Sequence, residues 1–395
     1  MGDRLEVTVG AVAHGGHCVA RHEGQVLFVR HALPGERVEV EITEVGPKQR
    51  YLRADAVAVV EASVDRVTPP CPFSGPGACG GCDWQHVELA AQRALKATVV
   101  AEQLLRLGKV VVDVTVEPVP GEVDGLGWRT RIRYAVDAVG HPGLRRHRSH
   151  EVQPVTSCAL AHPLVAAVDP AAYVGAGVAE VEVRASLATN SVQVLVDGAP
   201  VGPDAEVLVE SAGGRRWQVS ADGFWQVHPG AADLLVGAVL AALEPAPGEH
   251  ALDLYSGVGL FAAPLAERVG PGGRVDAVES ATSAARDAVA NLGDVATVHL
   301  HHARVDRFLA RTSLRRCDLI VLDPPRAGAG ADVVARMARL RPRAIAYVAC
   351  DPASLGRDVA ALADSGYRLV GVRAFDLFPM THHVECVAWF HPRSV

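Results

Sequence analysis

The sequence predicts an α/β protein: a C-terminal, mainly parallel, doubly wound sheet of seven strands, preceded by a small OB-like β-barrel and a strand-rich centre. Three observations carry this. Beyond residue 226, apolar strand patterns alternate with helical ones. Before residue 62, five short strand patterns are separated by Gly and Pro turns. Between them, residues 128–225 are strand-rich.

Taken in order, LEVTVG, HCVA, QVLFV, RVEVEI and LRADAVAVV supply the barrel, with HGG, HEG and LPGE as turns. Residues 68–83, TPPCPFSGPGACGGCD, form a Pro/Gly/Cys loop, and 88–107 carry one helical pattern ended by Gly108. That helix is expected to pack on the C-terminal domain despite its early position. RIRYAVDAV, EVEVRAS, SVQVLVD and RRWQVSA are the central strands, and ADLLVGAVLAALEP is a helix. The seven C-terminal strands are HALDLYSG, GRVDAVES, TVHLHHA, CDLIVLDPP, AIAYVAC, YRLVGVRAFD and VECVAWF. Domains are expected at 1–62, 63–225 and 226–395.

The 395 residues suffice for two or three domains, and 49% hydrophobic content indicates a folded chain. No stretch approaches the roughly 18 apolar residues of a membrane helix, and MGDRLEVTVG is not a signal segment. A cytoplasmic protein with no membrane contact and no obligate protein partner is expected. The net charge of −7 argues mildly against a nucleic-acid partner, yet Arg129, Arg131, Arg133, Arg145, Arg146 and Arg148 crowd residues 126–150 against Asp137 alone. A phosphate-tracking face and a solvated arginine-rich hairpin weigh about equally there.

The chemistry-bearing residues sit at strand ends. In DLYSGVG (253–259), Gly257 and Gly259 permit a tight turn close to a ligand. Glu279 ends the next strand, at the distance from which a carboxylate accepts both ribose hydroxyls, although taken alone it reads rather as an exposed strand-end acid. GVGLFA lacks the third glycine of a pyrophosphate site, which fits S-adenosylmethionine better than NAD. Asp323 closes CDLIVLDPP and can face either the cofactor or the substrate. Cys350 closes AIAYVAC, and Asp351-Pro352 then begins a helix. A helix N-terminus is expected to lower the thiol pKa. Glu385 opens VECVAWF. A thiol that adds to C6 of uracil and a base that removes the C5 proton are what methylation at C5 requires. Cys18, Cys317 and Cys386 read as core residues.

Eight cysteines in a cytosolic chain point to metal binding or catalysis. Cys71, Cys79 and Cys82 form C-x7-C-x2-C, with Cys158 far downstream. Four thiolates hold either zinc or an iron–sulfur cluster. One close pair plus two isolated cysteines leans toward [4Fe–4S].

With these motifs together, the chain resembles the RNA (uracil-5-)-methyltransferase family over nearly its whole length. The barrel resembles a TRAM domain, an RNA-binding module. CPFSGPGACGGCDWQH with Cys158 resembles the family's [4Fe–4S] site. GFWQVHPGAA resembles FxQVN, which implies that Gln226 contacts the cofactor, and LDLYSGVGLF implies the same of Tyr255. VES and LDPPRAG carry Glu279 and Asp323 at cofactor-side positions. YVACDPASLGRD and FPMTHHVE resemble the nucleophile and base motifs. The resemblance implies a Rossmann-like class I methyltransferase domain acting on 23S ribosomal RNA in preference to transfer RNA. Four positions depart from the pattern: His228 and Leu260 replace asparagines, and ACDP replaces SCNP at Ala349 and Asp351. Cytosine-C5 chemistry would call for a cysteine in DPPRAG, where none occurs. Adenine-N6 chemistry needs neither Cys350 nor Glu385, and their presence also argues against a retired enzyme that only binds RNA.

Overall fold

The computed structural model describes residues 2–202 and 207–393. Strands Arg4–Ala13, His17–His22, Gln25–Arg30, Arg37–Val45 and Leu52–Glu61 close into a barrel. Period-2 alternation fills it: Val7, Val9, Cys18, Leu27, Val29, Val38, Val40 and Ala54 point inward as one cluster.

The helix Leu89–Arg106 begins at Glu88, whose carboxylate accepts the Ala91 N–H at 3.0 Å. It crosses the C-terminal helix Pro352–Asp364 at Gly356, where a Cβ would stand 2.8 Å from the Gln103 carbonyl. Its Lys96, fully buried, donates to Asp376 at 2.5 Å and to the Phe378 carbonyl at 3.0 Å.

The centre holds a six-stranded antiparallel sheet around Arg131–Val136 and Glu180–Ser186. Here the arginine-rich stretch separates. Arg131 and Arg133 pair with Glu182 on the neighbouring strand, and Arg146 pairs with Glu151. The single basic face considered from the sequence does not form, because alternate residues of Arg131–Val136 meet carboxylates on Glu180–Ser186. A separate hairpin, Val207–Ala212 with Arg215–Ser220, buries Trp217 and Val219 in the same core as Leu235 and Val258. By packing, this hairpin goes with the C-terminal domain, before the expected boundary at 226.

The C-terminal sheet orders its strands as Val298–His302, Arg274–Glu279, His250–Leu254, Leu319–Leu322, Ala344–Ala349, Glu385–Pro392, Tyr367–Phe375 and Val116–Glu117. The seven expected strands are joined by an eighth, the two-residue Val116–Glu117 from the central segment. The first five are parallel, and Leu319–Leu322 and Ala344–Ala349 are buried throughout. Glu385–Pro392 runs antiparallel to both neighbours. That reversal brings the start of this strand to the edge where the parallel strands end. Cys18, Cys317 and Cys386 lie in cores. Among the described residues no helix is long and apolar enough to cross a membrane.

Candidate active site

Ala349 pairs with Cys386, so Cys350 and Glu385 emerge side by side at one edge of the sheet. Beyond Cys350, Asp351 caps the helix Pro352–Asp364, its carboxylate accepting the Ser354 N–H at 2.7 Å. Asp323 leaves the adjacent strand. These three side chains line one cleft of about 690 Å³, together with Gln226, Tyr255, Gly257 and Glu279. The cleft lies at the point where strand order reverses, between His250–Leu254 and Leu319–Leu322.

Carboxyls dominate its electrostatics. Burial, then Asp323, raises Glu385 well above the usual carboxylate range. Burial pushes Asp323 up to about 7. The Cys350 thiol is pushed up to about 11 by burial, then by Glu385 and Asp323. The lowering expected from the helix N-terminus is thus reversed. Asp351 already occupies the helix amides, and two acids face the sulfur.

The glycine loop divides its work. Gly257 has φ +54° and lines the cleft, and no atom lies within 4 Å of where its Cβ would be. Its N–H donates to Glu279 at 2.9 Å, and Glu279 also accepts the Ser280 and Ala281 amides at 2.6 Å. That carboxylate is therefore oriented before any ligand arrives. Gly259, at φ +98°, does not line the cleft; a Cβ there would stand 2.5 Å from Leu292 Cδ1, so its place is structural. Tyr255 adopts φ +63°, unusual outside glycine. The segment bearing Gln226 is pinned where the Val227 carbonyl accepts both N–H and Oγ1–H of Thr130 at 2.9 Å. This cradle fits a nucleoside with an attached amino acid: open space over Gly257, a fixed acid, and the half-buried Leu260 and Phe378 as apolar walls.

Residues 1–57 match the family model described as TRAM domain, and residues 216–393 the one described as tRNA (Uracil-5-)-methyltransferase. A Streptomyces avermitilis protein described as an uncharacterized RNA methyltransferase is 49% identical, with 100% of this chain and 99% of that protein aligned. The chain belongs to the tRNA (uracil-5-)-methyltransferase family. A second such RNA methyltransferase, from Streptomyces coelicolor, is 48% identical over 100% of this chain and 94% of its own. Pyrococcus abyssi tRNA (uracil-54, C5)-methyltransferase, solved with S-adenosyl-L-homocysteine, superposes with a TM-score of 0.71 at 22% identity, covering 98% of this chain and 100% of that one. That likeness shows a shared fold.

Several residues of this RNA methyltransferase site escaped the sequence reading. Asp253 is fully buried and pushed up to about 8 by burial and Asp323, against the Ala262 N–H. Its place before the glycine loop was the available signal. Arg326 and His383 line the cleft mouth. His228 stacks on Trp128, ring centroids 5.8 Å apart, and accepts the Gly230 N–H at 3.2 Å, at the start of the helix Ala231–Leu243. Leu260, the other departure, lines the cleft. Elsewhere, Cys71, Cys79, Cys82 and Cys158 come together as free thiols around one small cavity with Gln85 and Arg129. Among the described residues no three His, Cys, Asp or Glu side chains converge on a single ion position.

Proposed function

We propose that this enzyme methylates C5 of a specific uridine in structured cytoplasmic RNA, 23S ribosomal RNA ahead of transfer RNA, through a covalent bond between Cys350 and C6. The observation that carries the reading is the meeting of Cys350, Glu385 and Asp323 at one sheet edge in a cleft that also holds Glu279. S-adenosylmethionine, when bound, supplies an electrophilic methyl group beside a positive sulfonium.

Gln226, Tyr255, Glu279 and Asp323 hold that donor, with Gly257 giving it room and Gly259 holding the loop in shape. The target base leaves its stack to reach Cys350. The Cys350 sulfur, as thiolate, bonds to C6, and the C5=C6 electrons move onto C5. C5 takes the methyl group as its bond to the sulfonium breaks and S-adenosylhomocysteine is left, and Glu385, ionised, accepts the C5 proton. The electron pair of that C–H bond restores C5=C6 as the C–S bond breaks and the thiolate leaves. Burial disfavours the ionised forms of Glu385 and Cys350 in the free enzyme. A cation bound in the same cleft as these two and Asp323 would favour the ionised forms of all three.

Cys71, Cys79, Cys82 and Cys158 would be the residues to hold a [4Fe–4S] cluster in this reading, supported by four thiols on one cavity. Iron and acid-labile sulfide assays on anaerobically purified enzyme test this, and zinc without iron refutes it. The reaction is tested by tritium release from RNA labelled at uracil C5, taken from a strain lacking the gene. Release that depends on S-adenosylmethionine is expected. A folded, donor-binding enzyme that releases none refutes the reading, and mapping the methylated nucleotide separates ribosomal from transfer RNA.

A further inference from the structure

One face of the barrel carries aromatic rings and cations where the alternation would place ordinary solvated residues. On Gln25–Arg30, Leu27 and Val29 fill the barrel core, so Phe28 and Arg30 face outward. Phe28 is in register with Arg53 on the parallel neighbour and with Val19 on the antiparallel one. The rings of Phe28 and Tyr51 meet edge to face at 5.3 Å, and those of His17 and Phe28 at 4.8 Å. The Arg53 guanidinium lies 5.8 Å from the Phe28 centroid and 5.4 Å from that of Tyr51. None of these rings belongs to the barrel core cluster.

Cations and carboxylates both occur along this face, and Arg30 bonds Asp83 at 3.4 Å and lies in register with Asp55. Arg53 and Arg148 share a single carboxylate, Glu44, at 3.4 and 3.6 Å. Arg145, on the same hairpin as Arg148, bonds His150 and not an acid. Burial, then Arg53, pushes His17 down to about 4, so its ring is neutral at physiological pH and stacks without carrying a proton.

The face leads to the reaction centre. From His17 the chain passes back through Gly16, where a Cβ would stand 2.7 Å from His382 Cβ, an approach only glycine allows. The Gly16 carbonyl accepts the Trp84 indole N–H at 2.9 Å, and His14 bonds Asp351 at 2.9 Å, one residue beyond Cys350. His14, Gly16, His382, Arg326 and Cys350 line one pocket of about 150 Å³. The rings of His382 and His383 lie 4.1 Å apart at its floor.

We propose that His17, Phe28, Tyr51 and Arg53 form a stacking platform for unpaired nucleotides adjoining the target uridine, the strand running from it across the Gly15–Gly16 turn to Cys350. This rests on the reading of the enzyme as one that methylates a base in RNA. A base extruded into the cleft leaves its neighbours unpaired, and unpaired bases offer faces that aromatic side chains stack on whatever the sequence. Arg53 and Arg148, which share one carboxylate, supply counter-charge to the phosphates between them. A rigid duplex would present edges and backbone to this face and no base plane to the rings.

The test is fluorescence anisotropy of full-length enzyme with a fluorescein-labelled oligouridylate of roughly ten nucleotides. Phe28→Leu and Tyr51→Leu are each expected to weaken binding about tenfold, since a stacked base is worth that much. Phe28→Tyr, which keeps a ring, should retain it. S-adenosylhomocysteine affinity, measured on the same samples, should stay at the wild-type value and shows that the variants are folded. Wild-type binding by both leucine variants overturns the proposal. So does an absence of saturable binding by the wild type, or a blunt RNA duplex outcompeting the oligouridylate. If the platform variants lose oligouridylate binding but no enzyme releases tritium from RNA, the uridine reading falls and the platform stands. If the enzyme methylates RNA while platform variants bind and turn over normally, only the platform falls.

Discussion

Burial makes Cys350, Glu385 and Asp323 each prefer to be neutral, and the neighbouring acids strengthen that preference for Cys350 and Glu385. Glu385 must be ionised to accept a proton. Activity is therefore expected to fall as pH drops and Glu385 takes up its proton, with Asp323 losing its charge at about 7, and to climb through alkaline pH as thiolate accumulates. An initial-rate profile from pH 6 to 9 checks this. Binding of the cationic donor should tighten with rising pH across the Asp323 transition, while the neutral S-adenosylhomocysteine tightens less; calorimetry at several pH values gives the ratio. Glu385→Gln should lower turnover by about 10²–10⁴-fold and leave RNA covalently bound to Cys350, visible as a denaturant-stable band. The same variant should be more thermostable. A buried carboxyl with a raised pKa contributes its stability below its ordinary value of 4.5 and loses it as pH rises toward the folded value. Glutamine avoids that loss, so the gain in melting temperature should appear at pH 7 and vanish in acid.

Single elements hold these residues in place. Asp351 both caps the helix after Cys350 and receives His14 from the barrel turn. Burial raises its carboxyl, but His14 and the Ser354 N–H prevail and hold it down at about 2. Asp351→Ala should cost about 1 kcal/mol in urea denaturation, whereas Asp351→Asn, which can still accept the Ser354 N–H, should cost less. In the glycine loop, Gly259→Ala meets both a positive φ and Leu292, so the loop must shift. Loss of donor binding in a folded protein is the expected result, read by calorimetry with S-adenosylhomocysteine.

Across the molecule, the helix Leu89–Arg106 belongs to the C-terminal domain in packing though not in sequence. Lys96 anchors it on Asp376, just ahead of the loop that leads to Glu385. Lys96→Met leaves Asp376 buried without its cation and should cost roughly 3–5 kcal/mol. Adding Asp376→Leu should recover most of that loss, because two apolar residues need no counter-charge. Denaturation of the two variants side by side decides it.

What the sequence by itself determined follows from local rules. Period-2 alternation marked the barrel strands, continuous apolar runs marked the buried parallel strands, and Asp351-Pro352 marked a helix start. The strand ends at Asp323 and Cys350 followed from those runs. The tertiary structure alone decided what depends on distant neighbours. Glu385 meets Cys350 only because the last strand inserts antiparallel, so its first residue arrives where the parallel strands end. Val116–Glu117 is too short to carry a pattern and becomes a strand only against Tyr367–Phe375. Arg131 and Arg133 read as a basic cluster until Glu182 comes alongside. The Cys350 thiol shows the difference most plainly. Its helix N-terminus is local and legible, but burial, and then two acids brought in from Leu319–Leu322 and Glu385–Pro392, outweigh it, since loss of solvent disfavours the thiolate more than one helix end favours it.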